Sequence, residues 1–148
     1  MKGALPFAVL LALAGTALAD GDAPAPADPP TYRLGVAAIK AGDFPKAIGL
    51  LKQHVAEKPN DANGWNWLGY ASRKSGDLDG AFAHYRKALA LDPKHRGAHE
   101  YIGEAYLMAK EPARAEEHLK ILDRLCRLPC EEYRDLKKAI ANYRKANP

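Results

Sequence analysis

Side chains that do covalent chemistry are scarce in this chain. Its 148 residues hold two cysteines, and after residue 19 only Thr31, Ser72 and Ser75 carry a non-phenolic hydroxyl. No nucleophile elbow, phosphate-binding glycine loop or zinc-protease motif is present, so neither catalysis nor a cofactor is expected. A one-sided charge is also missing: 22 Lys and Arg against 18 Asp and Glu leave +4, spread along the chain. Nucleic-acid binding needs a concentrated basic face, so it is not expected either. The carboxylates fall mostly on positions that read as solvated helix faces, and no strand pattern occurs.

Long apolar runs are few as well. The only one lies at the start, in "MKGALPFAVLLALAGTALADGDA". Lys2 gives a positive beginning, Ala4 to about Ala14 an apolar stretch, and Ala17-Leu18-Ala19 a small-residue cleavage pattern. That order predicts a signal peptide over 1–19, cut after Ala19. An uncleaved anchor is the competing reading, but the stretch is short of the roughly 18–20 apolar residues that span a bilayer. No cysteine follows that would take a lipid. Cleavage removes Lys2 and no acid, lowering the charge from +4 to +3. The expected location is periplasmic or secreted, with no stable membrane insertion afterwards. Residues 20–30, "DGDAPAPADPP", offer prolines and acids but no large apolar side chain, and predict a disordered leader.

Residues 31–146 repeat. Gly35, Gly69 and Gly103 are spaced by 34, as are Ala47, Ala81 and Ala115, and Asp43, Asp77 and Glu111. A period in this range marks stacked supersecondary units. Each unit reads as two helices. In the middle one, Trp65, Leu68 and Ser72 recur at helical spacing, "KSGD" makes a turn at Gly76, and Leu78, Ala81, Phe82, Tyr85, Ala88 and Leu89 form an apolar stripe. Pro93 stops it. Gly69 and Ala81 are expected where the two helices approach closely.

The stretch "WNWLGYASRKSGDLDGAFAHYRKALALDP" resembles a tetratricopeptide repeat almost position for position, through Trp65, Leu68, Gly69, Gly76, Ala81, Tyr85, Ala88 and Pro93. Repeats are expected at about 28–61, 62–95 and 96–129. The first departs at Thr31, where a large aromatic belongs. The third departs at Lys110, where the turn glycine belongs. A further helix over 130–146 carries Tyr133, Leu136, Ile140 and Tyr143 on one face and reads as a cap for the last unit. The expected fold is all-α: a helical-hairpin superhelix of three repeats with a C-terminal capping helix.

The resemblance also implies a function, namely binding a protein or peptide along the groove lined by the first helix of each unit. It places there Tyr32, Val36 and Ile39 of the first unit, then Asn63, Asn66, Tyr70 and Arg73, then Glu100, Glu104 and Leu107. Asn66 would meet backbone amides, Tyr70 would cover an apolar side chain, and Arg73 would pair with a carboxylate. Glu100 and Glu104 would favour a basic group. The Lys/Asn/Arg clamp by which some members of the family hold a C-terminal carboxylate is absent, so an adaptor of that kind is not expected.

Histidines 95 and 99 have ligand-like spacing, but His95 lies just after Pro93 and no third ligand is evident, so a satisfied surface role is expected. Cys126 and Cys130 flank Pro129, whose break in the helix lets Cys130 turn back toward Cys126. In an oxidising compartment this favours a structural disulfide between the last repeat helix and the cap. Two alternatives stay open: Cu(I) held by the C-x-x-x-C thiolates, which would make the protein a metal-handling accessory, and redox exchange.

Overall fold

The computed structural model describes residues 28–148. The expected signal (1–19) and most of the expected leader (20–30) lie outside the described residues. Seven helices follow, with no strand among the described residues: α1 Pro30–Lys40, α2 Phe44–Glu57, α3 Ala62–Lys74, α4 Leu78–Leu91, α5 Arg96–Met108, α6 Pro112–Leu125 and α7 Glu131–Ala146. Pro30, assigned to the leader by sequence, instead opens α1. Proline's fixed φ and missing N–H suit the first helical position.

Helices α2, α3 and α4 start where an aspartate caps them. Asp43 Oδ1 accepts from the Lys46 amide at 3.2 Å, and Asp77 Oδ1 from the Gly80 amide at 2.9 Å. Glu111, at the equivalent position of the third unit, makes no such bond, because its longer side chain does not fold back onto the first turn. The turns before these caps use the left-handed region: Gly42 has φ 76° and Gly76 φ 88°. In the third unit Lys110 takes that conformation, with φ 62°. A Cβ there is disfavoured by roughly 1–2 kcal/mol. Lys110 is exposed, so Lys110→Gly is expected to stabilise the protein by about 1 kcal/mol. A thermal melt checks this; an unchanged or lowered midpoint refutes it.

Pairs α1–α2, α3–α4 and α5–α6 form antiparallel hairpins, and each stacks on the next. This is a tetratricopeptide-type superhelix. Gly69 shows why the spacing of 34 matters. A Cβ on it would lie 2.6 Å from the ring of Tyr85, a side chain with no exposure at all. The missing side chain lets α4 lay that ring directly on the α3 backbone. Ala81, also fully buried, completes the close approach.

One core cluster is built from α1, α2 and α3 around Leu51, Val55 and Leu68. A second is built from α4 to α7 around Tyr85, Ile102, Leu122 and Leu136. Helix α7 packs against both α5 and α6. Its Leu136 and Ile140 are buried, and Glu131 and Glu132 in its first turn complement the helix dipole.

Cys126 ends α6 and Cys130 precedes α7, and the two are joined by a disulfide with Cα atoms 5.8 Å apart. Leu128 between them is 81% exposed. The Pro129 carbonyl accepts from Arg134 Nη1 at 2.9 Å, which fixes the turn from the other side. Oxidised in this way, the sulfurs are not the thiolates that Cu(I) requires.

Candidate functional site

Helices α1, α3 and α5 are equivalent members of successive units, so residues 34 apart occupy equivalent places on them. Three such columns carry most of the sequence-assigned groove: Tyr32, Asn66 and Glu100; Val36, Tyr70 and Glu104; Ile39, Arg73 and Leu107.

The last column runs inward. Ile39 packs against the first core cluster, and Leu107, 8% exposed, belongs to the second. Leu107, expected in the groove, is therefore a core residue, because α6 and α7 cover that side of α5. Arg73 is also only 8% exposed. Its Nη2 pairs with Glu104 Oε2 at 2.6 Å, and its Nε donates to the Tyr85 hydroxyl at 3.4 Å. Its guanidinium sits 5.3 Å from the Tyr70 ring centroid and 5.8 Å from that of Tyr101. The expectation that Arg73 waits for a partner's carboxylate is corrected: its charge is already matched, by Glu104. Glu104 is correspondingly not a free acid.

The middle column is half-buried and aromatic at its centre. Tyr70 meets Tyr101 at 5.0 Å and Trp67 at 5.8 Å between ring centroids. Val36 is likewise half-buried. In the first column, Tyr32 accepts a hydrogen bond from Trp67 Nε1 at 3.2 Å, which ties α1 to α3. Asn63 is exposed, and its Oδ1 lies 3.0 Å from His95 Nε2.

Asn66 and Glu100 both line a cleft of about 310 Å³. Helix α3 contributes Asn63, Asn66 and Trp67 to it. The start of α5 adds His95, Gly97, Glu100 and Tyr101, and α7 adds Glu131, Glu132 and Asp135. Asn66 is 4% exposed and Glu100 8%. The Asn66 Oδ1 finds no donor. Burial first, and then the neighbouring carboxylates Glu104, Asp135 and Glu132, push the Glu100 carboxyl up to about 8, against the opposing pull of Arg73. Sequence reasoning missed Trp67, Tyr101 and the α7 acids. Trp67 and Tyr101 are themselves 34 apart, a signal available in the register. The α7 acids lie outside the repeats, so no periodicity points to them.

The histidines pair differently from their spacing. His95 precedes α5 and caps it, with Nδ1 accepting from the Ala98 amide at 3.1 Å. His99 Nε2 lies 2.9 Å from the Pro93 carbonyl, which can only accept. His99 Nδ1, on the other side of the ring, lies 2.9 Å from His118 Nδ1. Burial, and then His99 and Arg114, lower His118 to about 4. No three His, Cys, Asp or Glu side chains converge as a metal set among the described residues.

Two family models described as tetratricopeptide repeat match residues 32–96 and 72–140, and together they span most of the chain. Among curated relatives, cellulose synthase operon protein C of Escherichia coli is 35% identical over 104 residues, covering 59% of this chain and 9% of that protein. A TPR repeat-containing protein of Pseudomonas aeruginosa is 34% identical over 64 residues, covering 43% and 61%. The chain thus spans only a small part of the longer relatives it matches. Two solved structures share the fold. The TPR2B domain of yeast Sti1, in its pHsp70 complex, has a TM-score of 0.70 at 23% identity, covering 78% of this chain and 95% of that one. The secretion chaperone SycD of Yersinia enterocolitica, in complex with a peptide of the translocator YopD, has 0.67 at 21%, covering 78% and 88%.

Proposed function

We propose that this chain, which belongs to the tetratricopeptide repeat family, binds a protein or peptide partner along α1, α3 and α5 and acts as a scaffold or assembly factor, with no catalysis of its own. The observation that carries the reading is the half-buried aromatic patch of Trp67, Tyr70 and Tyr101, continuous with a polar cleft on the same helices. Aromatic residues that bury large rigid area beside a polar rim are what hot spots at interfaces are made of. Two of the fold neighbours are complexes with a peptide of YopD and with pHsp70, which shows that this architecture accommodates such ligands in those proteins.

The N-terminal pattern supports an exported, periplasmic setting, and the joined Cys126–Cys130 pair suits an oxidising compartment. No helix of the described residues is long and apolar enough to cross a membrane. The neighbours with named ligands bind proteins or peptides; nothing in the charge pattern favours a nucleic acid.

A cross-linking pull-down from the exported fraction tests the reading. Tyr70→Ala is expected to weaken partner capture by about tenfold or more while helical content stays unchanged. Tyr70 suits the test because it is only half-buried and holds none of the core together. If Tyr70→Ala and Asn63→Ala together leave every captured partner bound, this face is not the binding surface.

A further inference from the structure

We propose that the cleft between α3, α5 and the start of α7 receives a single cationic side chain, a lysine or arginine of the partner. The inference rests on the protein-binding reading above and specifies the chemistry of one subsite within it.

One buried acceptor in this cleft lacks a donor, and a buried carboxyl beside it has no partner side chain. Glu100, 8% exposed, makes no hydrogen bond or ion pair among the described residues. Asn66, 4% exposed, leaves Oδ1 unsatisfied. Buried polar groups are nearly always paired, and an orphan acceptor costs about 1–3 kcal/mol. Glu100 and Asn66 line the same cleft, so a side chain that enters it is presented to both.

The rest of the cleft selects the sign of that group. Glu131, Glu132 and Asp135 line it from α7. The nearby cations are committed or peripheral: Arg73 is held by Glu104, and Arg96, half exposed, reaches Glu132 at 3.5 Å. An anion would meet Glu131, Glu132 and Asp135, with only the amide N–H groups of Asn63 and Asn66 to offset them. Lys and Arg side chains carry donors and no acceptor, which complements the orphan Asn66 oxygen and the Glu100 carboxylate once its proton has left. Trp67 and Tyr101 supply apolar and π surface for the stem and the charged head. The side chain enters as the cation and Glu100 gives up its proton, so one proton leaves for each cation bound. Because the Glu100 carboxyl holds that proton up to about pH 8, binding strengthens as pH rises toward that value. The charged groups that set this response are Arg73 on α3, Glu104 on α5, and Glu132 and Asp135 on α7.

The purified chain is titrated with N-acetyl-arginine methylamide, and with the citrulline compound of the same shape and no charge, followed by amide and indole NMR signals. The expected result is saturable shifts at Trp67 Nε1 and around Glu100 and Tyr101 with arginine alone, weakened about tenfold in Glu100→Gln. Affinity should also rise between pH 6 and pH 9, where arginine stays charged. Equal response to citrulline, no saturable shift with arginine, or undiminished binding by Glu100→Gln overturns the proposal. Partner capture separates the two levels. If Tyr70→Ala abolishes capture but Glu100→Gln leaves both capture and arginine binding intact, the cation subsite fails and the protein-binding face stands. If Tyr70→Ala leaves capture intact but Glu100→Gln weakens both capture and arginine binding, the cation subsite stands and the aromatic face fails.

Discussion

Replacing Glu100 with glutamine is expected to stabilise this protein, by about 4 kcal/mol at pH 8, and to leave its stability nearly unchanged at pH 4. The sign follows from the folded-state value. Glu100 titrates near 8 in the fold against an ordinary 4.5, so the native state holds a proton that the unfolded chain has released. Stability from this group is full below 4.5 and is lost as pH rises from there through about 8. Glutamine keeps the shape and removes the charge, so the variant escapes that loss. His118 works in the opposite direction. Its value falls from 6.5 to about 4, so stability is lost as pH drops across that window, in wild type and variant alike. The difference between the two proteins therefore isolates Glu100. Urea titrations at pH 4, 6 and 8 measure it. A Glu100→Gln protein less stable than wild type at pH 8 would mean that the carboxylate is paired rather than stranded.

Truncating Leu136 to alanine should cost about 2–5 kcal/mol, among the larger effects of any single side chain here. Leu136 has no exposure, and its Cδ2 sits where a Cβ on residue 103 would come within 2.7 Å. It thus rests directly on the bare backbone of Gly103, and the cavity left by truncation has a rigid floor that cannot collapse. The disulfide tethers α7 at its start but does not press it onto α5. Chemical denaturation with hydrogen exchange across α7 checks the outcome: early exchange in α7, and loss of arginine binding because Glu131, Glu132 and Asp135 travel with that helix. A cost below about 1 kcal/mol would show that α7 is held mainly by its polar contacts and the disulfide.

The repeat made much of the fold legible. Gly69 beneath Tyr85, the capping aspartates and the irregular turn at Lys110 all follow from a spacing of 34 and the short-range physics of turns and caps. The ligand face was legible only in part. The register locates Arg73 and Leu107 on α3 and α5, but their burial depends on how the next elements cover them. The family pattern placed both in the groove, whereas Arg73 pairs internally and Leu107 joins the core. The His95–His99 spacing carries no ligand pair because His95, just after Pro93, lies outside the helix and serves as its cap, while His99 is buried. His118, the true neighbour of His99, comes from a different helix. The acidic wall of the cleft belongs to α7, which stands outside the period, so only its packing against α5 brings it to the site.

The division of the core carries a consequence for how motion spreads. One cluster ends at α3 and the other begins at α4, while the cleft is built on α3, α5 and α7. In a linear array, opening events start at an end and stop at a weak seam. The α1–α2 hairpin can loosen while α3, held on α4 by the Tyr85 ring against Gly69, keeps its place in the cleft wall. The hydrogen bond from Trp67 to Tyr32 is a direct thread between them. A partner that lies along both ends would tie the α1–α2 hairpin to the cleft, and so would be sensed by the molecule as a change in cooperativity before any change in shape.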